Sequence, residues 1–369
     1  MLPSKAQAYA ALSAAIDSYQ AIAAAGGWPA VPAGPRVEPG MRDPRVPLLR
    51  RHLLVTGDLG PGRARPAAGA EDVLDRDLAA ALRLYQARHG LGVNGALDDK
   101  TVAAMAVPVE ARIATMRLNL ARLKRMPDMG PRYLMVNAAA KEMIVVEGGE
   151  VAFVNRVSVG RPDRQTPELR STISRIELNP YWSVPPRIAS VDLLPMIKQD
   201  PLFFERYGMR VFGTDGEINP TRIDWRGLKS MPYRLRQDPG PYNALGRIKF
   251  VFANSHSVYL HGTPVQEQFR LNGRFLTSGC IRAENPVKLA ALLLGDGNPE
   301  WPEERIRAGI ESGRHIVIEL GAPMPIYLGY LTAWVDDQGL VHFADDIYHR
   351  DVGSGRTVTT IAKDLEEPE

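Results

Sequence analysis

The stretch YLHGTPVQEQFRLNGRFLTSGCIR, residues 259–282, contains Cys280, the one cysteine in 369 residues. A thiol whose proton can be taken is a strong nucleophile, and backbone donors or an arginine nearby favour its thiolate. Cys280 follows Thr277, Ser278 and Gly279 and precedes Arg282. The glycine and small hydroxyl residues let backbone N–H groups approach a ligand closely. His261 lies 19 residues upstream, at the end of an apolar run, and is the obvious base. Strand side chains alternate, so Tyr259 and His261 point to the same face. A phenol there could donate to a developing oxyanion together with the Cys280 N–H. Cysteine, histidine and an oxyanion donor suffice for acyl transfer. The plainer reading stays open on spacing alone. A lone cysteine also serves as a small buried hydrophobe, and a strand-end histidine as a hydrogen-bonded surface residue.

These residues need strands and turns to hold them. From Tyr133 the sequence turns strand-like, with runs at 132–137, 142–147 and 150–159 and a Glu147-Gly148-Gly149 hairpin turn. SRIELNPYWSVP reads as a further strand stopped by Pro185-Pro186. IKFVFANSHSVYLHG reads as a hairpin whose second strand delivers His261. Asn285-Pro286 opens a helix, cap then first position, that runs to Leu294. RHIVIEL at 314–320 reads as a strand, and IYLGYLTAWVDDQGLVHFADD as a last hairpin turning at Asp337-Gln338-Gly339. Residues 191–240, rich in charge, proline and glycine with one short helix at 191–198, read as an insertion that could cover a cleft.

The N-terminal third is helical. Leu12, Ile16, Tyr19 and Ile22 recur at helical spacing in residues 5–25, a scaffold helix stopped by Gly26-Gly27. Residues 46–107 read as a small bundle, with Asp98 capping its last helix, and residues 109–126 as a connecting helix.

Bulk composition excludes several classes. Net charge is +3 and scattered, so no nucleic-acid partner is expected. No apolar run approaches the length of a membrane span. One cysteine rules out an intrachain disulfide. No basic segment followed by an apolar core precedes the first helix. Asp336-Asp337 and Asp345-Asp346 lack EF-hand spacing and read as solvated turn acids. His342 and His349 lack zinc-ligand partners. No metal and no cofactor is expected.

His261, fifteen residues, then Thr277-Ser278-Gly279-Cys280 resembles the catalytic motif of the L,D-transpeptidase (YkuD-type) family. NPYWSVPPRIA, GRIKFVF and YLGYLTAWVDDQGLVHFADDIYHRD resemble its YcbB-like branch. Ser278 stands where many members carry histidine, which removes a second candidate base. Tyr85-Gln86, His89-Gly90-Leu91, Val93-Asn94-Gly95 and Thr101 resemble a peptidoglycan-binding type 1 module. The resemblance implies an α+β protein, a mostly-β L,D-transpeptidase catalytic domain with a capping insertion plus a small N-terminal helical bundle module. Its expected divisions are 1–45 (helix and linker), 46–107 (module), 108–131 (connecting helix), 132–351 (catalytic domain, insertion 191–240) and 352–369 (tail).

It further implies Cys280 as nucleophile and His261 as base, with the Gly262 carbonyl holding the other imidazole nitrogen. Tyr259, Gly279 and Cys280 would supply oxyanion donors. Arg282, Ser278, Thr277 and Trp182 would face substrate, Arg282 holding a carboxylate and Trp182 at the cleft edge. The implied partners are peptidoglycan stem peptides and β-lactam (carbapenem) inhibitors. The implied place is the periplasm, with export explained by a signal trimmed from this chain.

Overall fold

The computed structural model describes residues 4–63 and 65–351, so the expected tail at 352–369 lies outside the described residues. Helix α1 (Lys5–Ala24) starts where the Ser4 hydroxyl accepts from the Gln7 N–H at 3.1 Å, and it buries Leu12, Ile16 and Tyr19. Helices α2 (Val46–Val55), α3 (Arg76–Arg88) and α4 (Asp99–Met105) bundle around Leu49, Leu53, Leu78, Leu82, Tyr85 and Met105. Asp75 caps α3 and Asp98 caps α4, accepting from Leu78 and Thr101 N–H at 2.8 and 2.9 Å. The Gln86 amide clamps the Asn94–Ala96 turn, accepting from Asn94 and Gly95 and donating to the Ala96 carbonyl. Helix α5 (Val109–Arg125) packs with α1 on one side of the sheet described next, around Met116, Tyr133, Ile144 and Val335. It is therefore part of a core and not merely a connector.

The sheet strands are β1 (Tyr133–Asn137), β2 (Glu142–Glu147), β3 (Glu150–Gly160) and β4 (Leu169–Leu178). The insertion carries β5 (Trp182–Ser183), β6 (Met209–Gly213), β7 (Gly216–Ile218) and β8 (Arg234–Gln237). The sheet resumes with β9 (Ile248–Phe252), β10 (Leu260–His261), β11 (Phe275–Thr277), β12 (Ile281–Ala283) and β13 (Ile316–Gly329). A small hairpin, β14 (Ala333–Val335) and β15 (Val341–Phe343), is the last strand pair among the described residues. Nine strands form one mixed sheet in the order β11-β3-β12-β10-β9-β4-β13-β1-β2. Its core side holds Ile176, Leu178, Ile248, Phe250, Leu260 and Ile281. The helix Pro286–Leu294, opened by Asn285-Pro286, lays Leu289, Ala290 and Leu293 on that side. Each of the two leucines stabilises by about 1.5–3 kcal/mol.

Three expectations change. Residues 314–320 and the start of the expected last hairpin are one strand, β13, bulged between Glu319 and Met324. The hairpin proper is β14–β15, and its turn does hold Asp337-Gln338-Gly339. SRIELNPYWSVP is two strands, because Asn179 takes a left-handed turn (φ 47°) between β4 and β5. The insertion is more than a loop with a helix. It has a four-stranded sheet, β5-β8-β6-β7, and its own core of Val184, Ala189, Ile197, Phe203, Met209, Val211 and Leu235. Its helical run opens at Pro186, earlier than residue 191, because proline is favoured in a first helical turn.

The helical bundle is fastened to the sheet-bearing part. The Arg88 guanidinium is buried against Asp58, Nε to Oδ1 at 2.6 Å, and its Nη1 donates to the Val341 carbonyl at 3.0 Å. Beside it His89 stacks between Tyr85 and Phe343, and Arg112 lies over the Phe343 ring at 4.5 Å.

Candidate active site

Register sets which side chains meet. Strand β10 pairs parallel with β12, Leu260 opposite Ile281 and His261 opposite Arg282. It pairs antiparallel with β9, His261 opposite Lys249, and β9 pairs with β4, Lys249 opposite Glu177. Side chains directly opposite one another share a sheet face. Glu177, Lys249, His261 and Arg282 therefore form one lateral row. Leu260, Ile281, Phe250 and Ile176 fill the other face, and their burial fixes the register, since a one-residue slip would expose them. Tyr259 and Cys280 stand two residues before His261 and Arg282 and so share the polar face. The Ile281 N–H donates to the Tyr259 carbonyl at 2.8 Å, which ties the two chains where the row begins.

His261 is 3% exposed, and its Nδ1 lies 2.6 Å from the Gly262 carbonyl. A carbonyl only accepts, so Nδ1 carries the proton and Nε2 is the basic nitrogen. Gly246 (φ 66°) makes the close approach behind this point possible, because a Cβ there would sit 2.4 Å from the Thr263 nitrogen. Burial pulls the His261 pKa down to about 3, the Arg282 charge adds to this, the Gly262 and Leu245 carbonyls oppose it, and Lys249 lowers it further. Burial pushes the Cys280 thiol up, while the Tyr259 backbone N–H, Arg282 and Lys249 favour the thiolate. The resting site thus holds a neutral thiol and a neutral imidazole, the latter free to accept a proton. Burial, then Cys280 and Glu177, raise the Tyr259 phenol, which therefore stays a donor.

The loop bearing Cys280 is bound up in its own hydrogen bonds. Gly279 (φ 108°) adopts a backbone shape that side chains rarely tolerate. The Thr277 hydroxyl donates to the Cys280 carbonyl at 2.6 Å and accepts from the Gly279 N–H at 3.1 Å. Thr166 donates to the Gly279 carbonyl at 3.0 Å. Arg164, 7% exposed in its side chain, donates to the Ser278 hydroxyl at 2.9 Å. The same guanidinium pairs with Asp192 in the helical run of the insertion, Nη2 to Oδ1 at 2.9 Å. The insertion and the Cys280 loop are thereby joined through one side chain.

The expected residues divide accordingly. Tyr259, His261, Cys280 and Arg282 share a face, and the Gly262 carbonyl holds the imidazole. The Gly279 N–H, expected as an oxyanion donor, donates to the Thr277 hydroxyl in this structure. Thr277, expected as a substrate contact, is buried and staples the loop. Ser278 is half-buried with Arg164 on its hydroxyl. Arg282 donates to the Gln268 side chain at 3.2 Å. Trp182 lies on β5, opposite Gln237, partly packed on the insertion's core. Sequence reasoning missed Lys249, Glu177, Arg164 and Asp192. A lone lysine inside IKFVF, in step with His261 across a hairpin, was a legible signal for Lys249. Nothing local marks Arg164. Among the described residues no group of three or more acidic, histidine or cysteine side chains could hold a metal. No helix among them is long and apolar enough to cross a membrane.

The family description "L,D-transpeptidase catalytic domain" matches residues 131–318, more than half of the chain. The chain belongs to the L,D-transpeptidase catalytic-domain family. A second description, "Putative peptidoglycan binding domain", matches residues 42–105 of this family member. A Haemophilus influenzae protein named "Putative L,D-transpeptidase" is 33% identical over 230 residues, covering 62% of this chain. The chain spans 46% of the length of that relative. An L,D-transpeptidase structure from Xylanimonas cellulosilytica is 14% identical, with 80% of this chain and 98% of that chain covered and a TM-score of 0.25. L,D-transpeptidase 3 from Mycobacterium tuberculosis, in complex with a faropenem-derived adduct, is 12% identical, with 54% and 60% covered and a TM-score of 0.24. Scores this low carry no argument about shape.

Proposed function

We propose that this chain is a peptidoglycan L,D-transpeptidase that works through a Cys280 thioester. The observation that carries the reading is the shared face of Tyr259, His261, Cys280 and Arg282, with the Gly262 carbonyl 2.6 Å from His261 Nδ1. Family membership supports the substrate class. In the first half-reaction His261 Nε2 takes the thiol proton as Cys280 Sγ attacks the carbonyl of a donor stem peptide. The oxyanion accepts from the Tyr259 phenol and the Cys280 N–H. The C–N bond breaks, His261 returns the proton to the leaving amine, and the thioester remains. In the second half-reaction an acceptor amine attacks the thioester, His261 takes its proton, and the thiol is regenerated.

The donor is a tetrapeptide stem cleaved after diaminopimelate, which yields a 3→3 cross-link, or a stem cleaved after L-Ala, which yields a 1→3 link. Arg282 would hold a substrate carboxylate, as a guanidinium fork suits one. Carbapenems would acylate the same sulfur. Residues 42–105 would hold the enzyme on peptidoglycan, and the site of action would be the periplasm. The test is incubation with purified stem peptides followed by product masses. Cross-linked dimers support transfer. Shortened monomers alone would make the chain an L,D-carboxypeptidase or endopeptidase, water collecting the same thioester. No acylated Cys280 under any substrate would leave a wall-binding protein with an inert domain.

A further inference from the structure

The mechanism above leaves two charged residues of the polar face unused, Lys249 and its ion-pair partner Glu177. Lys249 is the single charged residue of β9, on a strand whose alternate residues Ile248, Phe250 and Phe252 are buried in the core. Its ammonium lies 4.6 Å from the centre of the Tyr259 ring and 3.5 Å from Glu177 Oε2. Both side chains of that ion pair are largely covered, at 15% and 11% exposure. A covered pair in the middle of a sheet costs desolvation that an apolar pair of similar size would avoid. Its place is informative. The row runs Glu177, Lys249, His261, Arg282, and the Tyr259 ring is what Lys249 leans on, toward Cys280.

We propose that Lys249 is a positioning residue of this site: seated on the Tyr259 ring and tethered by Glu177, its ammonium supplies a fixed positive charge for the thiolate and oxyanion formed at Cys280. The inference rests on the reading of Cys280 as nucleophile and Tyr259 as oxyanion donor. The groups facing this charge are Glu177 on β4, Tyr259 just before β10, His261 on it, Arg282 on β12 and Cys280 just before that strand. Arg175 also bears on Glu177, at 3.5 Å. Arg282 and Lys249 thus stand on opposite sides of His261, one on each neighbouring strand. Both lower the cost of negative charge at the sulfur, and both disfavour an imidazolium until that charge appears. A cation on each side of the base disfavours the imidazolium but stabilises the thiolate and oxyanion that form beside it.

The experiment is alkylation of Cys280 by iodoacetamide across neutral to alkaline pH, in wild type, Lys249→Met and Lys249→Arg, with mass detection. Lys249→Met should move the alkylation profile to higher pH and slow the neutral-pH rate about tenfold, the effect of one charge a few ångströms away in a partly solvated site. Lys249→Arg should keep the wild-type profile. Single-turnover acylation by a stem peptide should fall in Lys249→Met with KM little changed. A Lys249→Met profile that overlays wild type overturns the proposal. Should Lys249→Met fail to fold, Lys249→Gln, which keeps a hydrogen-bonding group for Glu177 and loses the charge, should slow neutral-pH alkylation at least about twofold. An unchanged rate there overturns it equally. Alkylation needs no peptidoglycan, so it judges Lys249 even if no stem peptide is ever transferred.

Discussion

Acidification should destabilise this protein through His261, and the size of the effect follows from its burial. The imidazole titrates at about 3 in the fold, against an ordinary value of 6.5. A depressed histidine is neutral in the fold and charges on unfolding, so the unfolded chain binds more protons between these values. Its contribution is complete above about pH 6.5 and is lost as pH falls toward about 3, at roughly 1.4 kcal/mol per unit. By about pH 5 the loss is about 2 kcal/mol, and the whole span is worth about 5 kcal/mol. His52 and His89 are lowered by burial too, so the wild type alone cannot isolate His261. The comparison is with His261→Gln, which keeps an amide donor for the Gly262 carbonyl and has nothing to titrate. Urea unfolding of both proteins, followed through the transition that melts the sheet, gives stability at each pH. The wild type should lose about 2 kcal/mol more than the variant between about pH 7 and pH 5. Parallel stability curves would refute the account, because His261 would then titrate alike in both states.

Other outcomes follow from the same geometry. Cys280→Ala should abolish acylation and leave the melting temperature nearly unchanged, as read by intact mass and calorimetry. His261→Ala should slow acylation by several orders of magnitude, and near-wild-type turnover would remove it as the base. Tyr259→Phe should cost roughly 10–1000-fold in kcat, the range for one oxyanion donor. Arg164→Met cuts the tie from Asp192 to Ser278 and should slow acylation roughly 10–100-fold while the sheet melts as before. Arg88→Met strands the buried Asp58 carboxylate and should cost about 3–5 kcal/mol, measurable by denaturation.

The strand pattern around Cys280 was legible because alternation is a local property. Leu260 and Ile281 had to face a core, so Tyr259, His261 and Arg282 had to face away from it. Asp98 and Asn285-Pro286 were equally legible, since a helix start is written within a few residues. What failed needed distant partners. The tie from Arg164 to the Ser278 hydroxyl spans 114 residues of sequence, and nothing beside Ser278 announces it. The length of β13 was hidden by GAPMP, which reads as a break, whereas β4 carries the strand across it through a bulge. The insertion looked like a loop because its apolar residues are spread thinly from Val184 to Leu235, and only their assembly shows a core.

The Arg88–Asp58 pair, with Tyr85, His89 and Phe343 stacked beside it, bears on how this chain could be rearranged. Bundles of this kind look like cassettes that recombination could move freely between enzymes. Here removal would bare Phe343 and leave the Val341 carbonyl without its donor, a sticky scar on the remainder. A transplanted bundle would in turn carry a buried arginine and carboxylate into the wrong seat. A tolerated exchange would therefore have to bring the β14–β15 hairpin along with the helices.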